Sequence, residues 1–187
     1  MTSVEILNSL GQFSSFDYEL FDKHTSKLRL NRNDIVVKEG EVCKSFYFVL
    51  QGSFVQFQSN EEEEEEQVFD LHLNNEWMFN QESLTEQLPS MTSIRAFSKS
   101  EILTLSLNSF HCLCSKSQAF LQFGKILNQT KYRTSFYDSS LNPTEKYKFI
   151  TRTKPQLIRV FPLKLIASYL KMTPETLSRV RATYLIS

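Results

Sequence analysis

Apolar residues recur along this chain in two rhythms. Near the C-terminus Leu163, Ile166, Ala167 and Leu170 fall at i, i+3, i+4 and i+7, one stripe of a 3.6-residue helix. After a break at Lys171 and Met172, Thr173 supplies an N-cap oxygen, Pro174 suits the first helical position and Glu175 suits the positive end of the dipole. The second helix that follows places Leu177, Val180 and Tyr184 on one side, and Glu175, Ser178, Arg179 and Ala182 on the other. The pattern predicts a helical hairpin with a buried face and a compact polar outer face.

Upstream the rhythm shortens. A helical segment of roughly Val4 to Lys27 gives way to short runs of aromatic and β-branched residues: Leu28 and Leu30, Ile35–Val37, Phe46–Leu50, Phe54–Phe57 and Val68–Leu73. These predict a meander of antiparallel strands. Gly40 and Gly52, two of only four glycines, fall between runs, where tight turns need positive φ. From Ser117 to about Phe136 a helical period returns, with Phe120, Phe123, Leu127, Thr130, Thr134 and Tyr137 in alternating three- and four-residue steps. Such a stripe suits the seam of a two-stranded coiled coil, and equally a helix packed on its own roll. Asn142-Pro143 then opens a helix through about Thr151, Lys154-Pro155 ends it, and Gln156 to Val160 leads into Pro162.

The formal charge of zero hides an asymmetry. From Thr144 to Ser187 there are nine Lys and Arg against two acids, net +7; the remainder holds 12 against 19, net −7. A basic module joined to an acidic one points to a polyanion partner at one end only. The run Glu61 to Glu66 between two strands reads as a solvated hairpin tip that discourages edge-to-edge association. With 41% hydrophobic residues the chain can fill a core. No apolar stretch reaches membrane-spanning length and no signal peptide is apparent, so a cytoplasmic protein is expected. Cys43, Cys112 and Cys114 lack a disulfide-framework spacing.

Catalysis finds little support, and no enzyme is expected. His24, His72 and His111 are scattered, no glycine-rich phosphate loop occurs, and His111-Cys112-x-Cys114 lacks a second ligand pair, so no metal is expected. The outer face of the second helix carries the chemistry instead. An arginine fork pairs with guanine O6 and N7, and a carboxylate accepts from the cytosine amino group; Glu175 and Arg179 lie one turn apart. An ordinary amphipathic hairpin would also show a charged surface.

The segment IASYLKMTPETLSR resembles the DNA-reading helix-turn-helix of the Crp/Fnr family of transcription regulators, through Ile166, Ala167, Leu170, Thr173, Glu175, Thr176, Leu177 and Arg179. The resemblance implies that Glu175 and Arg179 read bases, within a DNA-binding set of Lys171, Thr173, Glu175, Thr176, Ser178, Arg179 and Arg181. Lys171 stands where the family usually has glycine; in a left-handed turn that costs about 1 kcal/mol. The sequence stops at Ser187, where many members continue into a β-hairpin wing, so a short wingless branch is expected.

A second stretch, Val36 to Phe57, resembles the family's cyclic-nucleotide-binding β-roll through Lys38, Gly40, Glu41, Tyr47, Val49 and Gly52. The implied fold is α+β: an N-terminal antiparallel β-roll of jelly-roll type with flanking helices (1–116), a dimerisation helix and hinge (117–141), and a C-terminal helix-turn-helix domain (142–187). The family's phosphate cassette is degenerate here. Asn80 and Gln81 stand near its Gly-Glu, Ser90 and Met91 fall where the arginine and its hydroxyl partner belong, and Arg95 lands on the following strand. Neither cAMP nor cGMP is therefore expected as a ligand, and His72, Trp77, Phe79, Asn80, Gln81, Ser90 and Met91 are candidates for a remodelled pocket with an unknown effector. The implied partners are double-stranded DNA with an inverted-repeat site, a second copy of the chain and RNA polymerase. A two-fold dimer presents its reading helices about 34 to 36 Å apart. The alternative is a ligand-sensing or protein-interaction module whose helix-turn-helix is vestigial.

Overall fold

The computed structural model of the chain describes residues 1–60, 65–127 and 141–186. The N-terminal segment forms two helices, α1 (Ser3–Asn8) and α2 (Ser15–His24), where the sequence pattern suggested one. Two capping boxes explain the break: Thr2 with Glu5, and Ser14 with Asp17, each satisfy orphan backbone N–H groups and start a helix afresh.

The strands follow in two four-stranded antiparallel sheets. One has the order β1 (Ser26–Leu30), β8 (Ser100–Ser106), β3 (Ser45–Gln51), β6 (Trp77–Met78); the other has β2 (Ile35–Val37), β7 (Ser93–Ala96), β4 (Phe54–Asn60), β5 (Glu65–His72). Helix α3 (Gln81–Glu86) lies between β6 and β7, and α4 (Leu107–Lys116) follows β8. Gly40 and Gly52 have φ of +84° and +106°, as their turns require. Any side chain at Gly52 would also run into Ser100.

The first sheet is covered by the flanking helices. Phe46 meets Phe110 of α4 at 5.3 Å between ring centres, and Trp77 meets Phe48 at 5.1 Å and Phe123 at 5.2 Å. Residues Gln118–Phe123 form a 3-10 helix, and Phe120 and Phe123 are buried in the chain's own core. Neither can therefore supply the expected coiled-coil seam. Eclipsed i, i+3 side chains in a 3-10 helix put both rings on the same side, against the roll. Leu127 is half-buried against the same core, while Thr130, Thr134 and Tyr137 lie outside the described residues.

The C-terminal part comprises α5 (Pro143–Thr153), α6 (Gln156–Val160), α7 (Leu163–Tyr169) and α8 (Pro174–Ile186). Asn142 caps α5 in a capping box with Glu145, and Thr173 accepts from the Thr176 N–H at the start of α8. These helices share one hydrophobic core with the outer face of the β4–β5 hairpin. Val55, Phe57, Val68 and Leu71 pack with Tyr147, Ile150, Leu157, Phe161, Ile166, Ala167, Leu170, Leu177 and Val180. Polar contacts tie the junction further. The Ser168 hydroxyl accepts from the Val68 backbone N–H at 2.9 Å, and Lys154 pairs with Glu76 at 2.7 Å.

Candidate functional site

Two places matter: the exposed face of α8 and the interior of the roll. On α8, Leu177 and Val180 are buried while Glu175, Ser178, Arg179 and Ala182 are exposed, the division that the heptad of apolar and polar positions predicts. Thr173 and Lys171 are exposed at the preceding turn, and Thr176 is half-buried. Lys171 adopts φ +54°, the left-handed conformation expected at this break. The Glu175 carboxyl is held below the usual carboxylate range by its own backbone N–H, then by the Thr173 hydroxyl, with the Arg179 charge adding to the effect. An ionised acceptor and a guanidinium thus sit side by side on one helical face. Arg181 differs from the rest of the expected set: it is half-buried with its Nε enclosed, on the flank of α8 away from Arg179.

In the roll, strand pairing decides which side chains point inward. Gln56 pairs with Asp70 and Ile94, and Phe54 with His72 and Ala96, so these share the inner face. Val55 and Phe57 alternate to the outer face. The inner face holds a chain of polar groups. His72 Nε2 lies 3.3 Å from Gln56 Oε1 and 4.0 Å from the Asp70 carboxylate, and the Gln56 amide donates to Thr92 Oγ1 at 2.9 Å. Asn80 Nδ2 donates to the same hydroxyl at 3.0 Å, while Asn80 Oδ1 caps α3 by accepting from the Ser83 N–H. Asp70, His72, Asn80, Ser83, Ser90 and Thr92 are all buried.

The loop after α3 is fastened in the same way. The Ser90 hydroxyl donates to the Thr92 carbonyl at 2.6 Å, and Ser90 exchanges backbone bonds with Gly40 and Glu41. Ser83 Oγ accepts from the Cys43 N–H and donates to the Leu88 carbonyl. Burial raises the Cys43 thiol above its ordinary pKa. Asn80, Ser83 and Ser90 are each engaged by neighbours in the same chain, and Thr92 Oγ1 accepts from two of them.

Of the expected pocket residues, His72, Asn80 and Ser90 are brought together, linked through Gln56 and Thr92. Gln81 is the half-buried first residue of α3. Trp77 and Phe79 belong instead to the aromatic cluster beneath the helices, and Met91 is 62% exposed. Arg95 pairs across to Val55 and so occupies the outer face, where its guanidinium makes two 2.7 Å bonds to Glu66 and lies 4.5 Å from the centre of the Phe57 ring. It is the strand residue that the sequence suggested, turned away from the roll interior. Sequence reasoning missed Gln56, Asp70 and Thr92. For Gln56 and Asp70 the signal was polarity alternating with Val55, Phe57 and Leu71, which resembles a solvent-facing strand until the pairing is known.

Among the described residues no group of three or more His, Cys, Asp or Glu side chains is placed to hold a metal, and no helix is long and apolar enough to cross a membrane.

Comparison with known proteins places this geometry in context. Residues 27–117 match the cyclic nucleotide-binding domain family. No curated protein matches the chain significantly. Among solved structures, the catabolite activator protein of Thermus thermophilus is 16% identical with a TM-score of 0.60, the match covering 95% of this chain and 85% of that one. FixK2 of Bradyrhizobium japonicum is 14% identical with a TM-score of 0.70, over 85% and 83% of the two chains. A CooA variant of Carboxydothermus hydrogenoformans is 15% identical with a TM-score of 0.67, over 98% and 84%. At such identities the likeness is one of fold. Residues 27–117 thus resemble a cyclic nucleotide-binding domain, and the chain shares its fold with the catabolite activator protein, FixK2 and CooA structures.

Proposed function

We propose that the chain is a sequence-specific DNA-binding transcription regulator of the Crp/Fnr type, and not an enzyme. The supporting observation is the exposed face of α8, where Glu175, Ser178 and Arg179 stand clear of the core while Leu177 and Val180 anchor the helix. Arg179 reads guanine, Glu175 reads cytosine, and Thr173, Thr176 and Lys171 meet the backbone beside them. The partner is duplex DNA with an inverted-repeat site, bound by two copies of the chain, with RNA polymerase as a further partner. Because Phe120 and Phe123 are buried in the chain's own core, the dimer contact draws on other residues.

The test is a mobility-shift titration against sequences selected from a random pool. The wild type should enrich an inverted repeat, and Arg179→Ala should lose roughly 1–3 kcal/mol of discrimination at one position of each half-site. Equal weak binding to every duplex, unchanged by that substitution, would favour the vestigial module instead.

The effector reading follows from the inner face. With Arg95 paired to Glu66 outside the roll, and Asn80, Ser90 and Thr92 bonded to one another inside it, neither cAMP nor cGMP is a tight ligand. Calorimetric titration of cAMP giving a micromolar Kd would overturn this.

A further inference from the structure

We propose that Lys146, on α5, is a positioning residue for the DNA-reading helix and not one of its phosphate contacts. The proposal rests on the reading of α8 as that helix. By sequence alone Lys146 counts as one more positive charge in a basic domain. The structure gives it a different surrounding: it is half-buried, and its Nζ donates to the backbone carbonyl of Leu170 at 3.2 Å.

Leu170 is the residue on which α7 ends. The last carbonyls of a helix have no partner within it, and a cation there also opposes the negative end of the helix dipole. The next residue, Lys171, carries the left-handed φ of +54° that turns the chain toward α8. Within the turn, the Lys171 N–H donates to the Ser168 carbonyl and the Met172 N–H to the Ala167 carbonyl, both at 3.0 Å. Lys146 thus adds a side-chain bond between this turn and another element. That element, α5, also packs directly on α8, with Tyr147 and Ile150 in the same core as Leu177 and Val180. The direction in which α8 leaves the turn is therefore referred to α5 at two points.

Lys148 supplies an internal control. Two residues further along α5 it is exposed, and it lines a groove of about 540 Å³ together with Thr144, Thr176 and Arg179. It thus borders the same groove as Arg179 of the reading face, where a backbone contact would stand. Two lysines on one helix turn therefore have separable tasks: Lys148 contributes charge to the DNA contact, and Lys146 contributes orientation.

The experiment compares the full-length wild type with Lys146→Met, Lys146→Gln, Lys146→Arg and Lys148→Met. Each is titrated with the duplex selected by the wild type and with a scrambled duplex, over a series of salt concentrations. Lys146→Met should lower the ratio of specific to non-specific affinity by about fivefold and leave the slope of log K against log salt unchanged. Lys146→Arg, which keeps a charged donor near the Leu170 carbonyl, should restore the ratio. Lys146→Gln retains a neutral donor and the fold should Lys146→Met lose it, and should keep the wild-type slope with an intermediate ratio. Lys148→Met should weaken both duplexes alike and reduce the slope by about one. If Lys146→Met or Lys146→Gln instead weakens both duplexes equally and reduces the slope by about one, Lys146 is a phosphate contact and the proposal falls. An unchanged ratio with an unchanged slope also overturns it. A wild type that does not discriminate between the duplexes removes the underlying reading of α8, a result distinct from either.

Discussion

On β4, Phe54 and Gln56 face into the roll while Val55 and Phe57 face out of it, and the two faces have different chemistry. The inner face joins Gln56 to His72 and Thr92 in a hydrogen-bonded chain. The outer face is apolar and is the bed on which α7 and its neighbours rest. The difference shows how one hairpin serves two modules. A strand delivers alternate residues to opposite sides, so four residues can wall the β-roll and anchor the helical part without compromise. It also shows where the two modules are coupled: through packing, and only secondarily through the Ser168 bond and the Lys154–Glu76 pair.

The largest effect is expected on the outer face. Leu71 is fully buried, and Leu71→Ala should cost about 2–5 kcal/mol of stability in urea denaturation. Roll fluorescence and helical circular dichroism should shift together, because the core is shared. Two separate transitions would show that the helices hold themselves. On the inner face, Thr92→Val removes the acceptor shared by Gln56 and Asn80, at a cost of roughly 2–3 kcal/mol. DNA affinity of the folded fraction should be unchanged, and a change there would show that the interior reaches α8.

Smaller effects sharpen the picture. Ser168→Ala leaves the Val68 N–H without its partner and should cost about 1 kcal/mol by the same denaturation assay. Lys171→Gly should stabilise the chain by up to about 1 kcal/mol, seen as a small rise in Tm, because glycine adopts the +54° φ without Cβ strain. A fall in Tm would mean that the Lys171 side chain contributes more than its backbone costs.

What the sequence discloses follows the range of each interaction. The α7–α8 pair was legible because its signals are local: a stripe, a Thr173 cap, a Pro174 start. Even there Leu163, counted in the buried stripe, is 38% exposed, since the first residue of α7 lies ahead of the turn that the core covers. Strands β1 to β5 and the two glycine turns were legible for the same reason, whereas β6 and β8 were not read from the pattern. The segment at Phe120 and Phe123 was not, because three-residue spacing fits the seam of a coiled coil and the face of a 3-10 turn alike. The ligand pocket was least legible. Whether Arg95 points in or out, and whether Trp77 lines the interior or the helix-covered face, depends on strand parity fixed by partners far along the chain, Val55 in one case and Phe48 in the other.

The shared outer face has a consequence for biosynthesis. Val68 and Ser168, which meet in the finished fold, are 100 residues apart in the chain. At the usual rate of about 5–20 residues per second, the β4–β5 hairpin waits roughly 5–20 seconds before the helices that cover it are made. During that interval Val55, Phe57 and Leu71 lie open on a nascent chain. The helices at the far end act as a late-arriving lid on the roll's own hydrophobic surface, and truncated or stalled chains should be those that attract chaperones.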